Sequence, residues 1–138
     1  MSSRNAALKG EPTAEDGEVL GLVEEWWQQL KSEHTAGTRI REAAQPLMPP
    51  GIQTAEDALL LATGRAAFVE IMQRPEIVAL CTEHDQQQET RLGLGDRLAE
   101  TPANTLEGIN AKLKVAMKSG RNTDIARSAA NDLDRLVV

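Results

Sequence analysis

The first candidates for chemistry lie close together in the chain. Four side chains are spaced at i, i+3, i+4 and i+7, which places them on one side of a helix: Cys81, His84, Asp85 and Gln88. Cysteine and histidine are good zinc ligands, and a thiol beside an imidazole is also the pair from which a cysteine nucleophile is built. A structural zinc site needs four protein ligands, however, and the chain has one cysteine and two histidines. We therefore expect no metal and no catalytic residue, and interpret His84 and Gln88 as polar contacts or as candidate partner-binding residues.

Glycine and acidic patterns add no catalytic motif. Gly93-Leu-Gly95 lacks the third glycine and the preceding strand of a dinucleotide-binding loop, and the sequence contains no Gly-x-x-x-x-Gly-Lys phosphate loop. Acidic pairs such as Glu24-Glu25 are typical of a solvated helix face. We expect a protein that is not an enzyme and that uses no cofactor.

Two adjacent tryptophans, Trp26 and Trp27, stand out in a chain with 2 % aromatic residues and no tyrosine. Neighbouring side chains on a helix point about 100° apart, so the pair either spans a wide buried stripe or leaves one indole at the surface. Tryptophan is also enriched at the energetic centres of protein interfaces. Two interpretations stay open: both are core residues, or at least one binds a partner. Leu47 and Met48, in a proline-rich connector, are further candidates for contact with a protein.

Charge argues against a general nucleic-acid binder. The 138-residue chain has a net charge of -6, whereas nucleic-acid-binding domains usually carry a basic excess. Residues 111–138 are an exception, with six basic and three acidic side chains. Direct nucleic-acid binding is therefore not favoured, and its candidate contacts would be Lys114, Lys118, Arg121 and Arg127. The three acidic residues of the same segment, Asp124, Asp132 and Asp134, would repel phosphate.

The elements that must position these residues are helices. Alanine and leucine favour helix, and the scarcity of aromatic residues argues against extensive sheet. Apolar residues recur at helical spacing in five segments. We predict an all-α fold, a compact bundle of about five helices that ends in an αα-hairpin. In the hairpin, Leu113, Met117 and Leu133 are assigned to the apolar faces of their helices.

Capping and breaking residues predict where the helices start and stop. Variant capping boxes at Thr13–Asp16 and Thr54–Asp57 start two helices, and Gly37 is expected to interrupt the first. Pro75 ends the second helix and starts the third, in which Gly93 and Gly95 could allow a break. Asn104-Thr-Leu-Glu107 caps the fourth helix.

The organisation is simple. Residues 1–12 are polar and read as a flexible arm, and residues 13–138 as a single helical domain. The chain has no apolar signal core and no membrane-length apolar run, and its lone Cys81 fits a reducing compartment. We expect a cytoplasmic protein that contacts no membrane.

Part of the C-terminal third resembles a family. Residues 101–117 (TPANTLEGINAKLKVAM) and 124–136 (DIARSAANDLDRL) are similar to short uncharacterised helical proteins of alphaproteobacteria and their prophages. Those proteins typically show a Thr-Pro-Ala-x-Thr-Leu-x-Gly stretch, an Ala-Lys-rich helix and a closing helix. The resemblance implies a bacterial or phage origin; that class has no established activity.

We therefore expect a non-enzymatic protein–protein interaction module of bacterial or phage origin. One form of that function is an inhibitor or adaptor of a larger complex that handles nucleic acid or acts in defence. The alternative is a self-assembling structural or packaging component of a phage. A DNA-binding helical protein is the least favoured interpretation.

Overall fold

The computed structural model of the chain is all-α. It describes residues 16–49, 62–120 and 122–137, and no strand occurs among them. Within these ranges the α-helices are α1 (Gly17–Ala44), α2 (Ala62–Met72), α3 (Pro75–Glu100), α4 (Leu106–Lys118) and α5 (Thr123–Val137). A short 3₁₀ turn, Gln45–Leu47, follows α1. The predicted all-α fold with five helices is confirmed.

The described residues group into two compact units. Unit 1 contains those of residues 16–30 and 89–137, and unit 2 contains those of residues 31–88. The proposed arm and the capping box at Thr54–Asp57 lie outside the described residues, and the single domain over residues 13–138 stays a prediction. In the described ranges, every helix is too short or too polar for a bilayer span.

The core of unit 1 is aliphatic and surrounds one indole. Trp26 is the largest of its fully buried side chains. The side chains that share this core are Val19, Leu22, Val23, Leu94, Leu98, Ala103, Ile109, Val115, Ala116, Ile125, Ala129 and Leu136. They come from α1, α3, α4, α5 and the segment before α4, so the apolar faces of all four helices meet here.

α4 and α5 form the predicted C-terminal αα-hairpin. The side chain of Lys112, halfway along α4, bonds to Ser128 and Asp132 of α5, while Ala103, just before α4, bonds to Asp132 near the end of α5. The two helices are therefore antiparallel. Gly120, in the turn between them, has a φ of 84°, a left-handed conformation that glycine adopts without a Cβ penalty.

Unit 2 has a smaller core. Ala44, Ile71 and Ile77 are buried together, and Leu47 and Met48 pack against them. At the junction of α2 and α3, the carbonyl of Arg74 accepts hydrogen bonds from the amides of Ile77 and Val78 at 3.0 and 2.8 Å. Proline at the first helical position suits this arrangement because it has no amide to satisfy. The predicted role of Pro75 is confirmed.

Two predicted interruptions are wrong. α1 continues through Gly37 to Ala44, and α3 continues through Gly93 and Gly95. A glycine inside a helix costs about 1 kcal/mol relative to alanine. Burial of neighbours on the same helix, such as Ala36 and Leu94, offsets that cost, because tertiary packing supplies most helical stability.

Gly108, in the first turn of α4, allows a close approach that no other residue could. A Cβ at this position would lie 2.9 Å from the carboxylate carbon of Asp16 and 3.1 Å from the Cβ of Ala103. We expect Gly108→Ala to lower the free energy of unfolding by about 1–3 kcal/mol, because the buried carboxylate must move. Urea unfolding followed by tryptophan fluorescence measures this change.

Gly93→Ala is the matched control. Gly93 also lies inside a helix of unit 1, and a Cβ there would meet no atom within 4 Å. We expect this variant to gain about 0.5–1 kcal/mol of stability from helix propensity alone. A Gly108→Ala variant as stable as Gly93→Ala would contradict the packing of Asp16 against Gly108.

Candidate functional site

A buried carboxylate from the start of α1 organises the beginning of α4. Asp16 Oδ1 accepts a hydrogen bond from the amide of Asn104 at 2.7 Å, and Oδ2 accepts from the amide of Thr105 at 3.1 Å and from the Thr105 hydroxyl. The Thr105 oxygen in turn accepts from the amide of Gly108 at 3.0 Å, so Thr105 is the N-cap of α4. One predicted capping box needs correction, because the N-cap of α4 is Thr105 rather than Asn104. Thr13, the predicted N-cap of the first box, lies outside the described residues.

A second buried carboxylate, Asp132 of α5, holds the other side of the same segment. Its Oδ2 accepts from the amide of Ala103 at 3.1 Å and from Lys112 Nζ at 2.6 Å. Its Oδ1 accepts from the guanidinium of Arg135. Both carboxylate oxygens are therefore used within unit 1, and the segment 101–105 is clamped between Asp16 and Asp132.

Lys112 is fully buried and its hydrogen bonds are complete. Nζ donates to the carbonyl of Thr101 at 2.8 Å, to Ser128 Oγ at 2.6 Å and to Asp132 Oδ2 at 2.6 Å. An ammonium group has three protons, and three acceptors surround it. A lysine reacts as a base or nucleophile only with a free lone pair. The site therefore holds the helices together and offers no reactive amine.

The burial of Lys112 and Asp132 corrects the charge analysis of the hairpin. Neither charge reaches the surface, so Lys112 adds nothing to a basic patch and Asp132 repels no phosphate. Of the candidate nucleic-acid contacts, Lys114, Lys118 and Arg127 are exposed, and Arg121 lies outside the described residues. The exposed acidic side chains on the same two helices are Glu107, Asp124 and Asp134. Charges of both signs on the described surface do not favour phosphate binding.

The tryptophan pair is split between core and surface. Trp26 is 1 % exposed, whereas Trp27 is 37 % exposed. Their ring centroids are 5.0 Å apart with the planes at 89°, an edge-to-face contact, and the guanidinium carbon of Arg91 lies 5.5 Å from the Trp26 ring. A side chain that is almost fully buried has no surface to offer, so Trp26 serves the core. Trp27 keeps the exposure that a partner contact needs.

The remaining candidates for partner contact belong to unit 2. Leu47 and Met48 are half-buried against its core. His84 is half-buried, with Nδ1 3.7 Å from the carboxylate of Asp85, and Gln88 is exposed. The role of these four side chains in binding a partner stays a prediction.

Cys81 sits in an environment that favours its neutral thiol. Burial, and then the negative charge of Asp85, raise the pKa of the thiol above its ordinary value. A cysteine nucleophile needs the opposite, a lowered pKa. Among the described residues, no three His, Cys, Asp or Glu side chains converge in a way that could hold a metal ion.

α4 and α5 carry an exposed apolar surface that was not predicted from the sequence. Leu113, Met117, Leu133 and Val137 are all exposed, Met117 to 78 %. Leu113, Met117 and Leu133 are assigned to the apolar faces of their helices, but they lie on parts of those faces that stay exposed. The core side of α4 carries Ile109, Lys112, Val115 and Ala116, and the apolar arc of the helix extends beyond it. That excess width was the signal in the sequence, because a helix packed on one side needs only a narrower stripe.

We call this surface the hairpin face, and define it by Leu106, Leu113, Met117, Leu133 and Val137. A groove of about 540 Å³ opens on it, lined by Leu106, Glu107, Ile109, Asn110, Leu113 and Leu133. The groove is mostly apolar with a polar rim, so it suits an apolar side chain presented by a protein.

The raised pKa of the Cys81 thiol can be tested by its rate of alkylation. We expect its alkylation by iodoacetamide at neutral pH to be slower than that of an unstructured cysteine peptide, with the rate rising at higher pH, because the thiolate is the reacting species. Asp85→Asn removes the repelling charge, and should move the rate profile to lower pH. A profile at or below that of the free peptide would contradict the assigned environment.

Comparison with known proteins adds nothing to this geometry. The sequence matches no family model and no curated protein, and no solved structure is similar to the chain. The function must therefore be argued from the described residues themselves.

Proposed function

We propose that this chain is a non-enzymatic protein–protein interaction module and that the hairpin face is its contact surface. The observation that carries the proposal is the exposure of Leu113, Met117, Leu133 and Val137 on the two helices that form the face. Single exposed apolar residues need no explanation, but four on the two helices of one hairpin, two of them lining a groove, are typical of a binding surface.

The support behind the face suits a binding role. α4 and α5 are joined through a buried ion pair, Lys112 with Asp132, on their core sides. Such side-chain bonds fix the spacing of the two helices before any partner arrives. A preorganised surface loses less conformational entropy on association, which favours affinity.

The wider setting follows from charge and resemblance. A net charge of -6 and the similarity of residues 101–136 to alphaproteobacterial and prophage proteins support a cytoplasmic bacterial or phage protein. An inhibitor or adaptor of a larger nucleic-acid-handling or defence complex would use its acidity to compete with nucleic acid. The alternative, a self-assembling structural or packaging component of a phage, is favoured by the charge distribution around the hairpin face.

Met117→Glu tests the contact surface. It places a charge at the most exposed apolar position of the face, where desolvation on binding would cost about 2 kcal/mol, roughly a thirtyfold loss of affinity. We expect tagged wild-type chain to retain a partner, either from host lysate or as untagged copies of itself, and the variant to lose it. Stoichiometry is read by mass spectrometry.

Leu92→Glu is the control for this experiment. Like Met117, Leu92 is an exposed apolar residue of unit 1, with 53 % of its surface exposed, but it lies on α3 and outside the hairpin face. Circular dichroism should show both variants folded, since neither side chain is buried. Equal loss of partner from both variants, or retention by Met117→Glu, would exclude the hairpin face as the contact surface.

A further inference from the structure

The geometry points to a second copy of this chain as the occupant of the hairpin face, related to the first by a twofold axis that crosses α4 at the level of Lys112. This inference rests on the proposed function, because it names the partner for the same surface. It depends on two features of the face. One is the protruding side chain of Met117 with a matching groove, and the other is an uneven distribution of charge.

The level of the axis can be read from the hairpin itself. Lys112 bonds to both Ser128 and Asp132, so position 112 on α4 stands beside position 130 on α5. Each residue along a helix advances about 1.5 Å. Residues before 112 on α4 lie toward the open end of the hairpin, and residues after it lie toward the turn.

Met117 and the groove are placed symmetrically about that level. Met117 lies five residues toward the turn, at about 7.5 Å from the axis. Apart from Leu113, the residues that line the groove lie about 3 to 9 Å from that level toward the open end, a range that includes the distance of Met117. A twofold axis in the interface would therefore insert Met117 of each copy into the groove of the other, as an isologous interface requires.

Four exposed charges on α4 and α5 follow the same symmetry. On α4, Lys118 lies toward the turn and Glu107 toward the open end; on α5, Arg127 lies toward the turn and Asp134 toward the open end. The twofold operation places each helix antiparallel to its copy. Position 118 then faces position 106 or 107 of the second copy, and position 127 faces position 133 or 134.

Charge also selects this arrangement over its alternative. With the two turns at the same end, Lys114, Lys118 and Arg127 of both copies would gather at that end with only Asp124 to offset them, and like charges across an interface are repulsive. With the turns at opposite ends, Lys118 meets Glu107 and Arg127 meets Asp134 of the second copy, while Lys114 meets the uncharged Asn110. Binding of an unrelated partner does not require that a protruding side chain, a groove and opposite charges lie at mirrored positions on one face.

Sedimentation velocity of the full chain over a range of concentrations is the first test. We expect wild type and Leu92→Glu to form dimers, and Met117→Glu to remain monomeric at concentrations where wild type is dimeric. A dimer that survives Met117→Glu would use another surface and would overturn the inference.

A charge exchange on α5 tests the antiparallel geometry. Arg127→Asp and Asp134→Arg should each weaken the dimer about tenfold, because each pair occurs twice by symmetry and attraction becomes repulsion. The double variant should return to within about threefold of wild type. Both changes suit the helix dipole, since they place an acid near the start of α5 and a base near its end, so the fold should tolerate them. A double variant weaker than either single variant would overturn the twofold arrangement.

Failure of this inference can be told apart from failure of the proposed function. If wild type is monomeric at all concentrations, but Met117→Glu abolishes capture of a different protein that Leu92→Glu retains, the second copy is the wrong occupant and the interaction surface stands. If wild type is monomeric and Met117→Glu changes no capture, both are wrong.

Discussion

The buried ammonium group of Lys112 is the constraint on which unit 1 depends. Removing a charge from water costs several kcal/mol even after relaxation, and only a full set of bonds in good geometry offsets that cost. Lys112 therefore requires Asp132 from α5, Ser128 one turn earlier, and the carbonyl of Thr101. These three partners fix the register of α4 against α5 and the path of the chain into α4. Loss of one member of such a pair typically costs about 3–5 kcal/mol because the other charge stays buried.

The same constraint explains the residue pattern of the segment 101–108 at the start of α4. The carbonyl of Thr101 accepts a hydrogen bond from Lys112, and the amide of Ala103 donates one to Asp132. Thr105 caps α4, and Gly108 leaves room for the Asp16 carboxylate. The spacing of these residues is that of a clamped helix start. The polar groups of this segment form hydrogen bonds that hold the helices together, which accounts for the pattern structurally.

Local patterns in the sequence were sufficient for the secondary structure. The period of about 3.6 residues, the proline at position 75 and the glycine at position 120 predicted helices and a hairpin that the structure confirms. The predicted break at Gly37 is wrong because glycine costs a helix only about 1 kcal/mol, and tertiary packing outweighs that cost.

The tertiary role of charged residues could not be obtained in that way. Lys112 and Asp132 look like solvated charges until their positions are compared with the buried ones. Lys112 lies three residues after Ile109, and Asp132 three residues after Ala129, so each is in the middle of an apolar face. A basic residue in the middle of the apolar face of α4 and an acidic residue in the middle of that of α5 could have predicted a buried ion pair. Asp16 had no such signal, because its partners lie about 90 residues away in the chain.

The hairpin face follows from the same division of the helices. Once Lys112 and Asp132 direct one side of each helix inward, the remaining apolar residues, Leu113, Met117 and Leu133 among them, are left on the outside. The buried ion pair between α4 and α5 opposes sliding of the two helices that carry this surface. An interaction module and a self-assembling component would both benefit from that rigidity.

Amide hydrogen exchange of the wild-type chain, resolved by residue, tests the central claim most directly. The amides of Ala103, Asn104 and Thr105 lie in a non-helical segment, yet they donate to buried carboxylates. If Asp16 and Asp132 clamp this segment, those amides should exchange as slowly as core amides of α4 such as Val115, through unfolding of the whole unit. Exchange at the rate of an exposed loop would show that the segment opens independently, and would contradict a clamp built on the buried charges.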